Sequence, residues 1–294
     1  MKQPLVSIIT VNYRQADVTC ELLASLDKIS YKNIEVWVVD NQSDGALKNK
    51  VSALFPHVNI IESKKNLGFA GGNNLAITQA NGKYLMFLNN DTEVCPDFLE
   101  PLVEVMETNE KVGVCASKLH YFHHPHIIQY AGSSDLHPFK IQSFAVGYGE
   151  KDLGQYDTTK PTNLAHGAAM MVRTSVLKEV GLMPEEFFLY YEEIDWCLKI
   201  KEMGYQIYFV PQSLVLHKES ISVGKQSAIQ VYYKTRNRIL LARKWRKGLG
   251  KWMSLTYLGF VALRDLTKFL FQRKFLLLGM YWDALSWNLK GNFK

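Results

Sequence analysis

YLMFLNNDTEVC, residues 84–95, is an apolar run that ends abruptly in Asn89, Asn90, Asp91 and Thr92. From Tyr84 to Leu88 the hydrophobicity is unbroken, which is the signature of a strand buried on both faces of a parallel sheet. Polar groups at the end of such a strand sit on the sheet rim, where open α/β sheets bind ligands. A carboxylate held there can take a hard divalent cation, which in turn can grip a diphosphate through oxygen ligands. A plain turn is the competing reading, because Asn and Asp are common turn residues. The neighbouring segments decide between the two.

On the amino-terminal side, VNIIE at 58–62 reads as a short strand. It is followed by NLGFAGGNN at 66–74, which places Gly68, Gly71 and Gly72 in a loop before a helix expected over 73–80. Glycines in such a loop permit close backbone approach to a ligand, and the free N–H groups of a helix start suit a phosphate or a polar base edge. Further back, LVSIITVN at 5–12 is the first buried strand. Residues 16–29 carry Val18, Leu22, Leu23, Leu26 and Ile29 at helical spacing. The second strand, beginning at Ile34, ends at Asp40, a residue able to accept from a ribose or base or to cap its own loop. This is a βαβ opening without GxGxxG after the first strand, which argues against a dinucleotide-binding dehydrogenase.

On the carboxyl-terminal side, a helix is expected over 96–110 and a strand over 111–119. Residues 120–160 read as a mobile loop on the acceptor side. His120, His123, His124 and His126 lie within it, interleaved with Tyr121, Phe122 and Pro125 and without a second ligand group at a supporting spacing. From Leu164 the pattern sharpens: a strand over 168–172, a short helix over 174–180 stopped by Gly181, and a helix over 192–203. Glu192 and Glu193 open that last helix, directly after the aromatic run from Phe187 to Tyr191. Strand-like stretches at 206–210 and 213–216 follow, ending at His217.

Composition sets the frame. A chain of 294 residues, 47% hydrophobic and 21% charged, can bury the core of one large α/β domain with an appendage. Cys20, Cys95, Cys115 and Cys197 form no CxxC pair, so neither a zinc site nor a disulfide framework is indicated and a reducing compartment fits. The amino terminus reads directly as a strand rather than a signal peptide, so a cytoplasmic protein is expected. The net charge of +6 conceals an asymmetry: residues 231–294 hold 14 Lys and Arg against two Asp, or +12, leaving −6 on residues 1–230. A basic tail suits an anionic membrane surface or nucleic acid.

These motifs, in this order, resemble glycosyltransferase family 2, especially its bacterial rhamnosyltransferase-like members, over about residues 5–240. VSIITVNY and VVDNQSDG resemble the family's nucleotide-binding start, NLGFAGGNN its Gly-rich loop and FLNNDTE its metal-binding DxD region. FFLYYEEIDWCLK resembles its catalytic-base helix, and HKESISVG with YYKTRNR its closing segment. The resemblance implies a GT-A fold over residues 1–240, with a nucleotide-sugar half at about 1–119 and an acceptor half at about 120–240, followed by a helical region over 241–294. It implies an inverting transfer from a nucleoside-diphosphate sugar to an acceptor hydroxyl of a glycan or lipid-linked saccharide, with dTDP-L-rhamnose favoured over a UDP-sugar. Glu193 is then the base, with Asp195 and Glu192 as the other candidates. Thr10, Asn12, Tyr13, Asp40, Gly68, Asn74 and Asn90 become nucleotide contacts, and Arg236 and Asn237 contacts to diphosphate or acceptor. A divalent cation, Mg2+ or Mn2+, falls to Asp91 and His217, with Asn89 contributing through its amide oxygen or a bridging water. Two departures stand out: Asn89 replaces the first DxD carboxylate, and Glu193 replaces an Asp in the family's Glu-Asp pair.

A non-catalytic nucleotide-sugar-binding or scaffolding protein of the same fold is the alternative that the missing carboxylate raises. Nucleic-acid binding through the tail lacks a recognised fold for that task. The tail itself, with Trp252, Leu255, Leu258, Phe260, Leu263, Phe269, Phe271, Phe275 and Trp282 among Arg and Lys, is interrupted by Arg264, Asp265 and Lys268 before it could span a bilayer. Amphipathic helices lying on the inner face of the cytoplasmic membrane are expected, with packing on the catalytic domain as the competing reading.

Overall fold

The computed structural model describes residues 3–218 and 227–290. The unbroken apolar runs become the centre of one sheet. β1 (Val6–Asn12), β2 (Ile34–Asn41), β3 (Asn59–Ser63) and β4 (Tyr84–Asn89) are joined by α1 (Ala16–Leu26), α2 (Ala46–Leu54) and α3 (Gly68–Ile77). β1 pairs in parallel with β2 on one side and with β4 on the other, and β2 pairs in parallel with β3. The chain therefore leaves β1 in one direction, returns, and continues on its other side. That reversal between β1 and β4 is the topological switch point at which open α/β sheets leave a crevice for a ligand.

After β4 come β5 (Thr92–Val94), α4 (Glu100–Thr108), β6 (Val112–Tyr121), β7 (His124–Tyr130), β8 (Lys160–Pro161), β9 (Ala169–Arg173), α5 (Leu177–Val180), α6 (Glu192–Glu202) and β10 (Gln206–His217). The sheet order is β3-β2-β1-β4-β9-β6-β10-β5, with β7 on β6 and β8 on β10. β9 runs antiparallel to both β4 and β6, whereas β10 runs parallel to β6. Antiparallel β5 lays Thr92 against His217, so the polar end of β4 and the last residue of β10 reach the same rim.

The chain forms two compact units. The first holds the sheet and its helices (residues 1–134, 144–188 and 192–222), and the second holds residues 135–143, 189–191 and 223–294. In the second unit α7 (Ala228–Trp245), α8 (Gly248–Phe271) and α9 (Phe275–Leu289) pack on one another. Among the described residues no helix is long and apolar enough to cross a membrane.

Several sequence expectations are corrected. The helix placed over 73–80 begins at Gly68, so NLGFAGGNN is mostly the first two turns of α3 rather than a loop. The glycines serve packing. A Cβ at Gly72 would lie 2.8 Å from Val11 Cγ1, so the bare backbone lets α3 sit against β1. Residues 124–130 are a strand where a loop was expected, because His124 and its neighbours extend the β6 hairpin. The stretches 206–210 and 213–216 are one strand, β10, whose pairing with β6 shifts register between Val210 and Leu214. Of the closing segment HKESISVG, residues 219–224 lie outside the described residues.

Candidate active site

The ends of β1, β2 and β4 supply the first cluster. Asn12 and Asp40 are register partners, and Asn12 Nδ2 donates to Asp40 Oδ1 at 2.9 Å. Asn12 Oδ1 accepts from the Gln15 amide at 3.1 Å and from Thr19 Oγ1 at 3.0 Å, while Asn90 Nδ2 donates to Thr19 Oγ1 at 3.2 Å. Thr19, which the sequence did not single out, thus ties α1 to both strand ends. Among the described residues, Asp40 Oδ2 and Thr10 Oγ1 are buried without a hydrogen-bond partner. Leaving a buried polar atom unmatched costs about 1–3 kcal/mol, so such atoms need an explanation. A polar ligand between β1 and β2 would supply their partners. Tyr13 follows on the rim, half-buried beneath the Arg14 guanidinium at 5.3 Å.

The second cluster is built on Asp91 and His217, both buried. His217 Nε2 lies 3.1 Å from Asp91 Oδ1 and 3.4 Å from Asn89 Nδ2, and His217 Nδ1 lies 2.7 Å from Gln129 Oε1. The His166 ring stands 6.1 Å from that of His217. Burial, and next the neighbouring His217, push the His166 pKa down to about 3 against the pull of Asp91, so His166 is neutral. A carboxylate, an imidazole and an amide converging on one point form a donor set suited to Mg2+ or Mn2+, which commonly keep waters and bind substrate phosphates as further ligands. Asp91 and His217 are thus the residues that would hold a divalent cation; among the described residues no further His, Cys, Asp or Glu joins them to make three, and Asn89 presents Nδ2 to His217, so its amide oxygen would serve only with the amide turned or through a water. Lys218 holds this rim together: its amide donates to Asp91 O at 2.9 Å and its ammonium pairs with Glu93 at 2.7 Å and with Glu21.

α6 supplies the acids. Glu192 and Asp195 are buried, and Asp195 faces Lys199 at 3.4 Å, whereas Glu193 is half-buried. Residues 166–168 connect the acids to the cation cluster. His166 stands against His217, Ala168 O accepts from the Asn89 amide at 3.0 Å, and a Cβ on Gly167 would lie 3.7 Å from Glu193 Cβ. His166 and Gly167 carry no spacing signal in the sequence, where the stretch appears only as the approach to β9.

The remaining candidates have other partners. Asn74 Nδ2 donates to Met183 O at 2.9 Å and to Glu185 Oε1 at 2.8 Å, and its Oδ1 accepts from the Met183 amide at 3.0 Å. Its amide thus fastens α3 to the segment before the aromatic run. Gly68, at φ +73°, faces the Phe188 carbonyl where a Cβ would be only 2.1 Å away, and the next amide, Phe69 N–H, donates to that carbonyl at 2.6 Å. Close approach at Gly68 is therefore to protein backbone. In the second unit Asn237 Nδ2 donates to the carbonyls of Leu189 and Tyr190 at 2.8 and 2.7 Å. Tyr190 and Tyr191 have φ of +66° and +77°. A left-handed conformation costs a non-glycine residue roughly 1–2 kcal/mol. Two hydrogen bonds from one amide, each worth about 1 kcal/mol net, offset part of that cost. Arg236 donates from Nε to Asn237 Oδ1 at 2.8 Å, and its guanidinium lies 4.8 Å from the Tyr233 ring and 4.6 Å from that of Trp287.

Solved structures share this fold. A structure of GalNAc-T7 with UDP, GalNAc and Mn2+ superposes with a TM-score of 0.64 at 15% identity, covering 83% of this chain and 51% of that one. A mannosyltransferase from Pyrobaculum calidifontis in complex with GDP-Man and Mn2+ gives 0.57 at 16% identity, covering 100% and 77%. The fold is GT-A and the protein is a glycosyltransferase. Residues 7–181 match glycosyl transferase family 2, and the chain belongs to that family. Among its relatives is the low-salt glycan biosynthesis hexosyltransferase of Haloferax volcanii, 27% identical over 80% of this chain and 74% of its own. The dTDP-rhamnosyl transferase of Shigella flexneri is 25% identical over 76% and 75%. The N-acetylglucosaminyl-diphospho-decaprenol L-rhamnosyltransferase of Mycobacterium tuberculosis is 22% identical over 88% and 91%.

Proposed function

We propose that this glycosyltransferase moves a sugar, with inversion, from a nucleoside-diphosphate sugar to a hydroxyl of a glycan or lipid-linked acceptor in cell-surface polysaccharide synthesis. The observation that carries this reading is the bridge at residues 166–168, which abuts the Asp91–His217 cluster and Glu193 at once. An in-line displacement needs a base at the acceptor hydroxyl and positive charge at the departing diphosphate, and these must share one crevice. Glu193 takes the hydroxyl proton. Asp40 and Thr10, with their unmatched buried oxygens, receive the donor's nucleoside, Asn12 and Asn90 hold that pocket in shape, and Tyr13 borders it. A Mg2+ or Mn2+ ion on Asp91, His217 and Asn89 supplies charge that neutralises the leaving diphosphate.

The donor we favour is dTDP-L-rhamnose, supported by the two rhamnosyl-transferring relatives, with a UDP-sugar as the alternative. Incubation of the protein with Mn2+ and a panel of dTDP-, UDP- and GDP-sugars, scored by nucleoside-diphosphate release, tests this. The largest release is expected with dTDP-L-rhamnose. Preferential release from a UDP- or GDP-hexose would overturn the rhamnosyl assignment.

The second unit supports attachment to the cytoplasmic face of a membrane. Along α8, Leu249, Trp252, Phe260, Leu263 and Leu270 are exposed at spacings that place them on one face, while Ser254, Leu258 and Ala262 occupy the buried face. Trp252 is 72% and Phe260 70% exposed, an unusual cost for aromatic side chains in water. Exposed Arg264 and Lys268 border that face, as in helices that rest in a lipid interface. The full chain is expected to co-sediment with phosphatidylglycerol-containing vesicles at low salt and less so at high salt. The combined change Trp252→Glu, Phe260→Glu and Leu263→Glu is expected to abolish co-sedimentation while leaving the fold intact by circular dichroism. Equal binding by parent and variant would assign the attachment elsewhere.

A further inference from the structure

We propose that Gln129 is a positioning residue that fixes the tautomer of His217 and so decides whether that imidazole can ligate a cation. The inference rests on the reading of Asp91 and His217 as cation ligands. A neutral imidazole has one N–H and one bare nitrogen, and the group facing one nitrogen determines the state of the other. Gln129 Oε1, an acceptor, faces Nδ1 at 2.7 Å. In the tautomer that satisfies this acceptor, Nδ1 carries the hydrogen and Nε2 turns its lone pair toward Asp91 Oδ1, 3.1 Å away. Two acceptors that face each other repel unless a positive charge lies between them. Were the Gln129 amide turned, its NH2 would donate to Nδ1, Nε2 would carry the hydrogen and donate it to Asp91, and the site would close to a cation.

The backbone is arranged to deliver this side chain. The pairing of β6 with β7 steps from Leu119 opposite Tyr130 to His120 opposite Ile128, which leaves Gln129 as the extra residue of a bulge. Bulges re-aim a side chain and are enriched beside active sites. Ile128, Gln129 and Tyr130 are all buried, so the polar amide is carried into the interior. The polar Gln129 reaches His217 from within an otherwise apolar run. Outer-shell partners of this kind are worth about 10–100-fold in metal affinity.

Calorimetric titration of Mn2+ with dTDP, and separately with UDP, into the protein of residues 1–294 tests the proposal on four chains: parent, His217→Ala, Gln129→Met and Gln129→Glu. Methionine keeps the length and loses the acceptor, whereas glutamate keeps an acceptor facing Nδ1. The expected result is a loss of about 10–100-fold in Mn2+-dependent affinity for Gln129→Met, with Gln129→Glu at or above the parent. Thermal melting of each variant near the parent temperature separates this from unfolding. Parent-like affinity in Gln129→Met beside a large loss in His217→Ala overturns the role of Gln129 alone. Unchanged affinity in His217→Ala, or no Mn2+ effect in the parent, overturns the cation reading and this inference with it. Equal loss in Gln129→Met and Gln129→Glu shows that the amide acts by packing, which also overturns the proposal.

Discussion

Glu193→Gln is expected to bind donor nucleotide as the parent does and to transfer sugar about 10²–10⁴-fold more slowly, the usual range for loss of a general base. The amide is nearly isosteric, so it preserves packing against residues 166–168 and the first turn of α6, but it cannot take the hydroxyl proton. The local structure favours this residue over its two neighbours. On a helix, residues 192 and 195 are three apart and share a face while residue 193 points away from it, and the fold buries that shared face: Glu192 is 4% exposed, and Asp195, fully buried, faces Lys199. Only Glu193 combines partial exposure with a position beside the bridge to the cation cluster. A negative charge at a helix N-terminus is favourable by about 0.3–1 kcal/mol, which accounts for an acid somewhere in that turn but not for which one is left accessible. Single-turnover transfer together with nucleotide binding by calorimetry checks the expectation. A Glu193→Gln protein that transfers at the parent rate moves the base to Glu192 or Asp195.

The order of strands on the nucleotide side was legible because each carries an apolar run too dense for a half-exposed strand, and Asp40 and Asp91 mark where two of those runs stop. α2 was not legible: Leu47 and Val51 are its only buried residues, so ALKNKVSAL offers too little apolar periodicity to outweigh its polar composition. Gly68, Gly71 and Gly72 misled in the other direction. Glycine clusters signal loops by their conformational freedom, but here Gly72 is required because a helix presses on Val11, a tertiary demand with no local trace. Gln129 stayed hidden for a related reason. HPHIIQY alternates too poorly to announce a strand, and the bulge that makes it useful is the cause of the poor alternation. Asp91 and His217, 126 residues apart in the chain, were paired only through family resemblance, since proximity at that separation comes from the antiparallel match of β5 to β10.

Asp91→Ala is expected to lower Mn2+-dependent nucleotide affinity by at least about 100-fold, above the roughly 10–100-fold that an outer-shell partner is worth. The reason is charge: Asp91 is the sole carboxylate of the triplet Asn89-Asn90-Asp91, because Asn89 brings only an amide, so its removal leaves an imidazole and neutral oxygens to hold a dication. The fold should lose far less. The Asp91 carbonyl keeps its bond from the Lys218 amide at 2.9 Å, and the carboxylate's bond to His217 at 3.1 Å is a polar contact at the sheet rim. One such bond is worth about 1 kcal/mol, rising to roughly 1.5–3 kcal/mol for a charged partner. For a chain of this size each kcal/mol is about 2–4 °C in Tm. The two readouts therefore separate: a large drop in affinity with a melting shift below about 12 °C identifies a cation ligand, and the reverse pattern identifies a structural ion pair. If affinity is unchanged, the cation is held elsewhere or does not take part, and the Asp91–His217 pair serves only to close the rim between β4 and β10.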